Sequence, residues 1–400
     1  MYDVLEGIKV VEVAEWTFVP IAASVLADWG ADVIKIEHRE GGDPQRGLVT
    51  SVTRQGAINP MMEVANRGKR SVGLDLNTPG GKDVLYKMVE SADVFLTSLR
   101  TRARKKLGIE PGDICKINPD VIYGRGTGYG LKGPDTEKGG YDWPSAWCRG
   151  GIAHRMTPPT GEPPFMPGSI GDISGGTHLA GAVAAALVRR ERTGKGAIVD
   201  VSLYSTGAWI MCQSIAGAHN GAPTPFVSRA NPMNPIVNTY PTRDGRWICL
   251  CLLQADAWWA DFCQHIGRDD MIEDPRFANM QARNEHRDEC IQEIERTFLQ
   301  KTFDEWLVAL DTMQGVWAPV LSTAEVVADE QALASGIVTP VTLGDSSSYM
   351  ATASPGQFDE APLGELTACP EPGQHTEEAL LELGLDWEEI IALKEAGAVQ

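Results

Sequence analysis

Short apolar runs alternate with amphipathic stretches through the first third of the chain. The runs "GIKVVEV", "ADVIKIE" and "SVGLDL" are rich in β-branched residues and typical of buried strands. The stretches "PIAASVLADWG" and "PGGKDVLYKMVESA" have the apolar spacing of helices. Strands that alternate with helices predict a parallel sheet with helices on both faces. The pattern therefore predicts an α/β fold.

The pattern changes after the second hundred residues. Residues 218–245 are rich in Pro, Asn and Gly, as a connector is, and "RWICLCLL" then opens a second unit. Because 400 residues exceed the usual size of one core, two domains are expected. The predicted division is a large domain at 1–205 completed by 335–400, a linker at 206–227, a small domain at 228–325 and a return linker at 326–334.

Asp172 stands among glycines in front of an Ala-rich stretch, "GSIGDISGGTHLAGAVAAALVRR". One interpretation is an N-cap, because Asp accepts hydrogen bonds from the first turn of a helix. The other is a nucleophile, since the glycines would leave its carboxylate open to a large group. A helix N-terminus would also keep that carboxylate ionised.

Other motifs exclude several kinds of chemistry. "GYGLKG" matches a dinucleotide fingerprint, but no helix is predicted after it, so it is interpreted as a glycine-rich loop. The eight cysteines contain no C-x-x-C pair and no cluster with histidine at zinc spacing, so no metal site is predicted. Reduced thiols and the absence of a secretory signal lead us to expect a cytoplasmic protein.

The charge is strongly negative and unevenly distributed. The net charge of -19 argues against nucleic acid and anionic membranes as partners. Residues 1–150 carry 20 basic and 20 acidic side chains, whereas residues 151–400 carry 15 and 34. An anionic ligand is therefore expected in the first part, although uneven solvation of surfaces explains the same asymmetry.

Four blocks in order resemble the family III CoA-transferases, the group of formyl-CoA and carnitine CoA-transferases. They are the opening "GIKVVEVAEWTFVPIAASVLADWG", then "NRGKRSVGLDLNTPGGKDVL", the block around Asp172, and "GQHTEEALLELGL". The resemblance covers nearly the whole chain. It implies a Rossmann-like large domain, a smaller α/β domain, and a homodimer of two interlocked ring-like chains.

The resemblance also implies a chemistry for Asp172. Its carboxylate would attack an acyl-CoA, form a mixed anhydride and then an aspartyl-CoA thioester, and pass CoA to a carboxylic acid. The partners would be an acyl-CoA and a free acid, with coenzyme A as a substrate and no tightly bound cofactor or metal. Covalent catalysis of this kind divides one difficult exchange into easier steps.

Four residues match CoA-contacting positions of the family: His38, Ala103, Lys106 and Lys138. Cations suit the phosphates of CoA, but each lysine taken alone is better explained as a solvated surface charge. The segment "SLRTRAR" departs from the Asn-Phe-x-Pro-Gly of many members, so contacts from Ser98 and Leu99 are not carried over.

Aromatic residues in two segments are expected to form the acyl pocket. The residues predicted to line it are Trp16, Thr17, Phe18, Tyr141, Trp143 and Trp147. If they do, the substrate is a bulky or aromatic acid rather than formate or oxalate. The alternative is that these rings belong to the core or to the dimer interface.

Two other functions stay open. The α-methylacyl-CoA racemases share the fold and the aspartate, but they hold a histidine in the segment that here reads "GGYDWPSAW". Tyr141 and Asp142 stand there instead, and a tyrosine with a pKa of about 10 is a poor base at neutral pH. The third possibility is a CoA-binding paralogue without activity, against which the retained Asp172 argues.

Overall fold

The computed structural model describes residues 2–48, 58–159, 161–221, 228–344, 346–361 and 363–400. Its contacts divide the chain into two compact units. The first unit comprises Met1–Thr157, Glu162–Pro223 and Asp329–Gln400, and the second comprises Pro158–Gly161 and Thr224–Ala328. No helix of the described residues is long and apolar enough to cross a membrane.

A six-stranded sheet forms the centre of the first unit, and all its strands run parallel. The strands are β1 (Lys9–Val13), β2 (Asp32–His38), β3 (Arg70–Leu74), β4 (Val94–Thr97), β5 (Ile122–Thr127) and β6 (Ala197–Ser202). Their order is β3-β2-β1-β4-β5-β6, which is the Rossmann order. The prediction of an α/β fold with a parallel sheet is therefore confirmed.

The first unit also contains helices, some of which cover the two faces of the sheet. They are α1 (Phe18–Asp28), α2 (Pro60–Asn66), α3 (Pro79–Glu90), α4 (Thr101–Leu107), α5 (Pro111–Ile117), α6 (Ile152–Met156), α7 (Ile170–Thr193), α8 (Leu203–Ile210) and α9 (Cys212–His219), with a 3-10 turn at Pro44–Gly47 and a π-helix at Trp143–Arg149. Helices α1 and α7 bury their apolar sides in one core against the sheet. Helix α3 packs in a second core, and every residue of α1 is buried.

The chain returns to the first unit at its C-terminal end. This part contains α15 (Glu330–Ala334), β10 (Val338–Thr342), β11 (Ser348–Thr352), β12 (Leu366–Thr367), α16 (Thr376–Glu382) and α17 (Trp387–Glu395). Leu380 and Ile390 enter the same core as α3. In the sequence, Asp386 followed three residues later by Glu389 predicts a helix start, and the two side chains form a reciprocal capping box at the start of α17.

The second unit is a small α/β structure with its own core. Three antiparallel strands, β7 (Val237–Pro241), β8 (Trp247–Cys251) and β9 (Trp317–Pro319), accompany α10 (Ala255–Ile266), α11 (Met280–Glu285), α12 (Arg287–Phe298), α13 (Phe303–Leu310) and α14 (Thr323–Ala328). Trp259, Phe298 and Trp306 lie at its centre. The predicted linker at 206–227 begins within α8 and continues through α9, which ends at His219. Residues 222–227 of this range lie outside the described residues.

Candidate active site

The order of the sheet reverses between β1 and β4, and the loops after these two strands meet there. The Glu15 backbone N–H donates to Ser98 Oγ at 2.9 Å, and that hydroxyl donates to the Glu15 carbonyl at 3.2 Å. Ligands of open parallel sheets bind in the crevice at the carboxyl ends of strands where the order reverses. This edge is therefore the candidate site.

Asp172 lies in the first turn of α7. The helix begins at Ile170 with Ser169 as N-cap, so the interpretation of Asp172 as the N-cap is wrong. Burial, with a smaller contribution from the carboxyl of Asp142, raises the pKa of Asp172 to about 8. This direction is opposite to the expectation that the helix N-terminus keeps the carboxylate ionised, because desolvation favours the protonated form.

The glycines beside Asp172 face protein atoms. A Cβ added at Gly171 would lie 2.8 Å from the Asp142 Cβ, and one at Gly175 would lie 2.7 Å from the Phe18 ring. One at Gly176 would lie 2.6 Å from the Phe18 carbonyl oxygen. The glycines therefore let α7 approach α1 and the π-helix closely, and they do not open a path to the carboxylate as the sequence had suggested.

Trp16 and Tyr141 come together although they are far apart in sequence. Their rings make an edge contact with centroids 5.7 Å apart, and Tyr141 is 58% exposed. Trp16 has a left-handed backbone (φ 68°), a strained conformation for a residue with a side chain. Thr17 is buried and donates to Gln45 Oε1 at 3.1 Å, and Phe18 is buried against α7. Of these predicted pocket residues, Trp16 and Tyr141 are the ones that reach the surface.

The other two predicted pocket residues lie on the π-helix. Trp143 is 41% exposed, and its ring lies 4.5 Å from that of Phe165. Trp147 is enclosed in a small apolar cluster, and its Nε1 donates to the Pro164 carbonyl at 3.1 Å. Both tryptophans therefore contact the segment 164–165, and Trp147 packs in the interior of the chain.

The four predicted CoA contacts fall on different loops and helices of the first unit. His38 is exposed at the carboxyl end of β2, the neighbour of β1. Ala103 is half-buried on α4, which follows β4, and Lys106 is exposed near the end of that helix. Lys138 is exposed in the loop after β5 and pairs with Asp135 at 3.3 Å. The three segments that carry these residues thus follow β2, β4 and β5, at the same edge of the sheet as Trp16.

A buried charge cluster supports the loop that carries Trp16. Lys35 contacts Glu12 at 3.0 Å and Asp43 at 2.9 Å, and Lys69 contacts Glu12 at 2.6 Å. Asp43 Oδ1 accepts the Trp16 backbone N–H at 3.2 Å. Burial would lower the pKa of Lys35, but the surrounding carboxylates raise it overall. The left-handed turn at Trp16 is therefore anchored to a buried cluster of paired charged side chains.

Sequence reasoning missed two features of this site. Asp142 was considered only as a base in the racemase reading, and its position against Asp172 depends on the close approach at Gly171. Arg149 lies between the rings of Tyr129 and Tyr204, at 5.0 and 5.1 Å, and also pairs with Asp135. The carboxylate in "GYDWP" was the available signal for Asp142, whereas no local pattern marks the Arg149 arrangement.

Among the described residues, no cluster of three or more His, Cys, Asp or Glu side chains could hold a metal ion. The sheet edge offers one carboxyl with a raised pKa, a second carboxyl, two partly exposed rings and several cations. This donor set suits a large anionic substrate with an apolar part.

Comparisons with known proteins identify the class to which this site belongs. The model of CoA-transferase family III matches residues 5–376, so the chain belongs to that family. It is an enzyme of the acyl-CoA:carboxylate CoA-transferase type.

Individual relatives are similar to this chain over nearly its whole length. The (R)-2-hydroxy-4-methylpentanoate CoA-transferase of Clostridioides difficile is 34% identical, with 99% of each chain covered. The cinnamoyl-CoA:phenyllactate CoA-transferase of Clostridium sporogenes is 30% identical, with 98% of this chain and 96% of the relative covered. A CaiB/BaiF family protein of Brucella suis has a solved structure with a TM-score of 0.81 at 28% identity, covering 95% of this chain and 99% of that one.

Proposed function

We propose that the protein transfers CoA from an acyl-CoA to a free carboxylic acid through covalent intermediates on Asp172. The observation that carries this proposal is the half-buried Asp172 carboxyl in the first turn of α7, at the sheet edge where the strand order reverses. Membership of CoA-transferase family III supports the overall reaction. The intermediates are our inference from the position of this carboxyl.

The proposed steps conserve atoms and charge. A carboxylate oxygen of Asp172 attacks the thioester carbonyl, the C–S bond breaks, and CoA leaves as the thiolate. The thiolate then attacks the Asp172 carbonyl of the mixed anhydride, which releases the donor acid and leaves an aspartyl-CoA thioester. The acceptor carboxylate repeats both steps in reverse and frees Asp172.

The first step requires an ionised Asp172. With a pKa of about 8, only about a tenth of the unliganded protein carries this carboxylate at pH 7. Poor solvation makes the ionised fraction a stronger nucleophile, since it loses little hydration when it attacks. Backbone N–H groups of the glycine-rich loop after β5 are the proposed donors to the developing oxyanion.

His38, Ala103, Lys106 and Lys138 remain our proposed CoA contacts. Helix α4 also carries Arg102 and Lys105, both exposed, so this helix presents several cations next to the β4 end of the sheet. Cations at this edge suit the pyrophosphate and 3′-phosphate of CoA.

The acyl group is proposed to be bulky or aromatic. The edge contact of Trp16 with Tyr141 supplies a broad apolar surface that is open to solvent. Relatives at 34% and 30% identity are named for a branched hydroxy acid and for cinnamoyl and phenyllactyl groups, which is consistent with this class. Formate and oxalate would leave such a surface unfilled.

The interlocked homodimer is likewise a proposal. Helix α9 has no buried residue, Trp209 on α8 is 64% exposed, and Ile198 on the edge strand β6 is 52% exposed. Apolar area of this kind on neighbouring elements supports burial against a second copy. The cytoplasm stays the expected location, supported by eight cysteines that are all free.

The test combines a substrate panel with mass spectrometry. Incubation with aliphatic and aromatic acyl-CoAs and free acids should give new thioesters, and acyl-CoA alone should add a covalent mass to the peptide that contains Asp172. Product formation without any mass on this peptide, even after rapid quenching and hydroxylamine trapping, would contradict the covalent route.

The racemase alternative is separated by isotope in the same samples. A racemase must exchange the α-proton of a 2-methylacyl-CoA with solvent, whereas CoA transfer leaves that proton in place. We expect no deuterium at this carbon in D₂O. Rapid incorporation would favour racemisation, with Tyr141 or Asp142 as the second base.

A further inference from the structure

The loop that follows β5 carries two of the proposed substrate contacts but has little packing of its own. It comprises residues 128–141, which all belong to the described part of the chain, and none of them is buried. Lys138 is a proposed CoA contact, and Tyr141 is a proposed wall of the acyl pocket. A segment without buried side chains is not held by apolar packing, so polar contacts must fix it.

Backbone hydrogen bonds hold the start of this loop without any help from Arg149. The Gly128 carbonyl accepts the Tyr204 backbone N–H at 3.0 Å, and the Gly130 N–H donates to Thr127 Oγ1 at 3.0 Å. The glycines proposed to stabilise the oxyanion therefore lie on the part of the loop that is tied directly to β5 and α8.

The middle of the loop is held differently, through a side chain of the π-helix. The Lys138 backbone N–H donates to the Asp135 carbonyl at 3.0 Å and closes a turn. The Asp135 carboxylate forms an ion pair with Arg149, the last residue of the π-helix. This ion pair joins the turn that carries Lys138 to the π-helix.

Two tyrosine rings hold Arg149 at this position. Its guanidinium lies 5.0 Å from the centre of the Tyr129 ring and 5.1 Å from that of Tyr204 on α8. The two rings are 6.4 Å apart. Arginine suits such a position, because its planar guanidinium contacts aromatic faces and pairs with a carboxylate at the same time. The rings thus direct the guanidinium toward Asp135.

The Asp135 carboxylate is shared by two cations. Arg149 contacts its Oδ2, and Lys138 Nζ lies 3.3 Å from its Oδ1. Arg149, and less strongly Lys138, lower the pKa of Asp135, so this carboxylate is ionised at neutral pH. Residues 128–138 contain two basic and two acidic side chains, so their charges cancel. Arg149 therefore supplies the positive charge by which this region attracts an anion.

We propose that Arg149 is a positioning residue that makes Lys138 free to bind a phosphate group of CoA. Arg149 holds the Asp135 carboxylate and offsets its charge, so Lys138 is less strongly retained by that carboxylate. The Lys138 side chain is 62% exposed, so its ammonium reaches a phosphate without leaving an apolar site. Arg149 acts through Asp135 and needs no contact with the substrate. This inference rests on the proposed role of Lys138 as a CoA contact.

Arg149→Met tests the proposal by removing the charge and the planar group while the length of the side chain stays similar. We expect KM for an acyl-CoA to rise about ten-fold and kcat to stay within about three-fold of wild type, because the start of the loop keeps its backbone bonds. Arg149→Lys should recover part of the affinity, since an ammonium keeps the charge but not the paired contacts. Arg192→Met removes an exposed arginine about 30 Å along α7 from Asp172 and is the control.

A donor without phosphates shows whether the effect passes through the phosphate contact. An acyl-pantetheine carries the same thioester but ends before the pyrophosphate. Its kcat/KM should be nearly equal in wild type and Arg149→Met. An equal loss with both donors would overturn the proposal.

A second variant shows whether Arg149 acts through Lys138. Lys138→Met should raise KM for acyl-CoA, and adding Arg149→Met to it should change KM little further, because the two residues serve one contact. Losses that multiply in the double variant would show that Arg149 acts independently of Lys138, which would also overturn the proposal.

Two measurements without turnover separate this inference from the proposed function. Calorimetric titration with CoA gives Kd, and amide hydrogen exchange reports on the turn at 135–138. We expect weaker CoA binding and faster exchange in Arg149→Met, with neither change in Arg192→Met. If both quantities equal those of wild type, the inference is wrong whatever the activity. If both change as expected but no acid ever receives CoA, the role of Arg149 is supported and the proposed transfer fails instead.

Discussion

The first unit contains two groups of buried charges, and they are built in opposite ways. Around Lys35, the carboxylates of Glu12, Glu37 and Asp43 meet the cations Lys35, Lys69 and Arg46. Around Asp172, the nearby charge is that of a second carboxyl, Asp142, whose Oδ2 has no partner among the described residues.

The contrast distinguishes a supporting cluster from a reactive one. In the paired cluster each charge lowers the cost of burying its neighbours, and one of its carboxylates fixes the turn at Trp16. At Asp172 and Asp142 no cation compensates burial, so burial raises both pKa values, that of Asp172 to about 8. The uncompensated group is the one from which chemistry is expected.

The largest expected effect comes from removing the proposed nucleophile. Asp172→Ala should lower turnover by a factor of about 10³ or more, because the covalent route is then closed. The purified variant should keep the wild-type circular dichroism spectrum. Turnover above a tenth of wild type would contradict the assignment of Asp172 as nucleophile.

The stability of wild type should depend on pH in a direction that the matched variant Asp172→Asn does not share. The pKa of Asp172 rises from 3.8 to about 8 on folding, so the folded protein binds the extra proton between these values. Wild type therefore loses stability as the pH rises through this window, by a few kcal/mol at most, whereas Asp172→Asn lacks this loss. Urea unfolding at pH 5 and pH 9 measures it, and equal pH slopes for the two proteins would contradict the raised pKa.

The paired cluster around Lys35 should lose stability when one of its cations is removed. Lys35→Met leaves Glu12 and Asp43 buried with one cation fewer, which should cost about 3–5 kcal/mol of unfolding free energy. The control Lys394→Met removes a half-exposed pair with Glu377 and should cost about 1 kcal/mol or less. Chemical denaturation gives both values, and equal costs would show that the buried cluster is not specially dependent on its pairing.

The smallest expected effect concerns the turn that the paired cluster holds. Trp16→Ala should raise KM for a bulky or aromatic acid by about ten-fold, because about 1–2 kcal/mol of apolar burial is lost. KM for small acids should change little. Val188→Ala, at an exposed position of α7 far along the helix, provides the control. An unchanged ranking of acceptor acids in Trp16→Ala would contradict a pocket role for this ring.

Local sequence patterns predicted much of the framework. Alternating apolar runs indicated the parallel sheet, and Asp386 with Glu389 indicated a helix start that the structure confirms. The N-cap of α7 was placed three residues too late, at Asp172 and not at Ser169, because close packing and not a side-chain capping hydrogen bond fixes this end of the helix. The role of the glycines was misjudged for the same reason, since contacts at Gly171 and Gly175 come from distant segments.

The sequence by itself determined the class of fold, the family resemblance and the choice of Asp172, because each depends on residue order and local periodicity. The tertiary structure alone decided which side chains surround that carboxyl. It brought Asp142 against Gly171 and Trp16 against Tyr141, contacts between segments that are 29 and 125 positions apart in the sequence. The pKa of Asp172 follows from this arrangement, since desolvation and like-charge repulsion depend on distance in space and not on spacing along the chain.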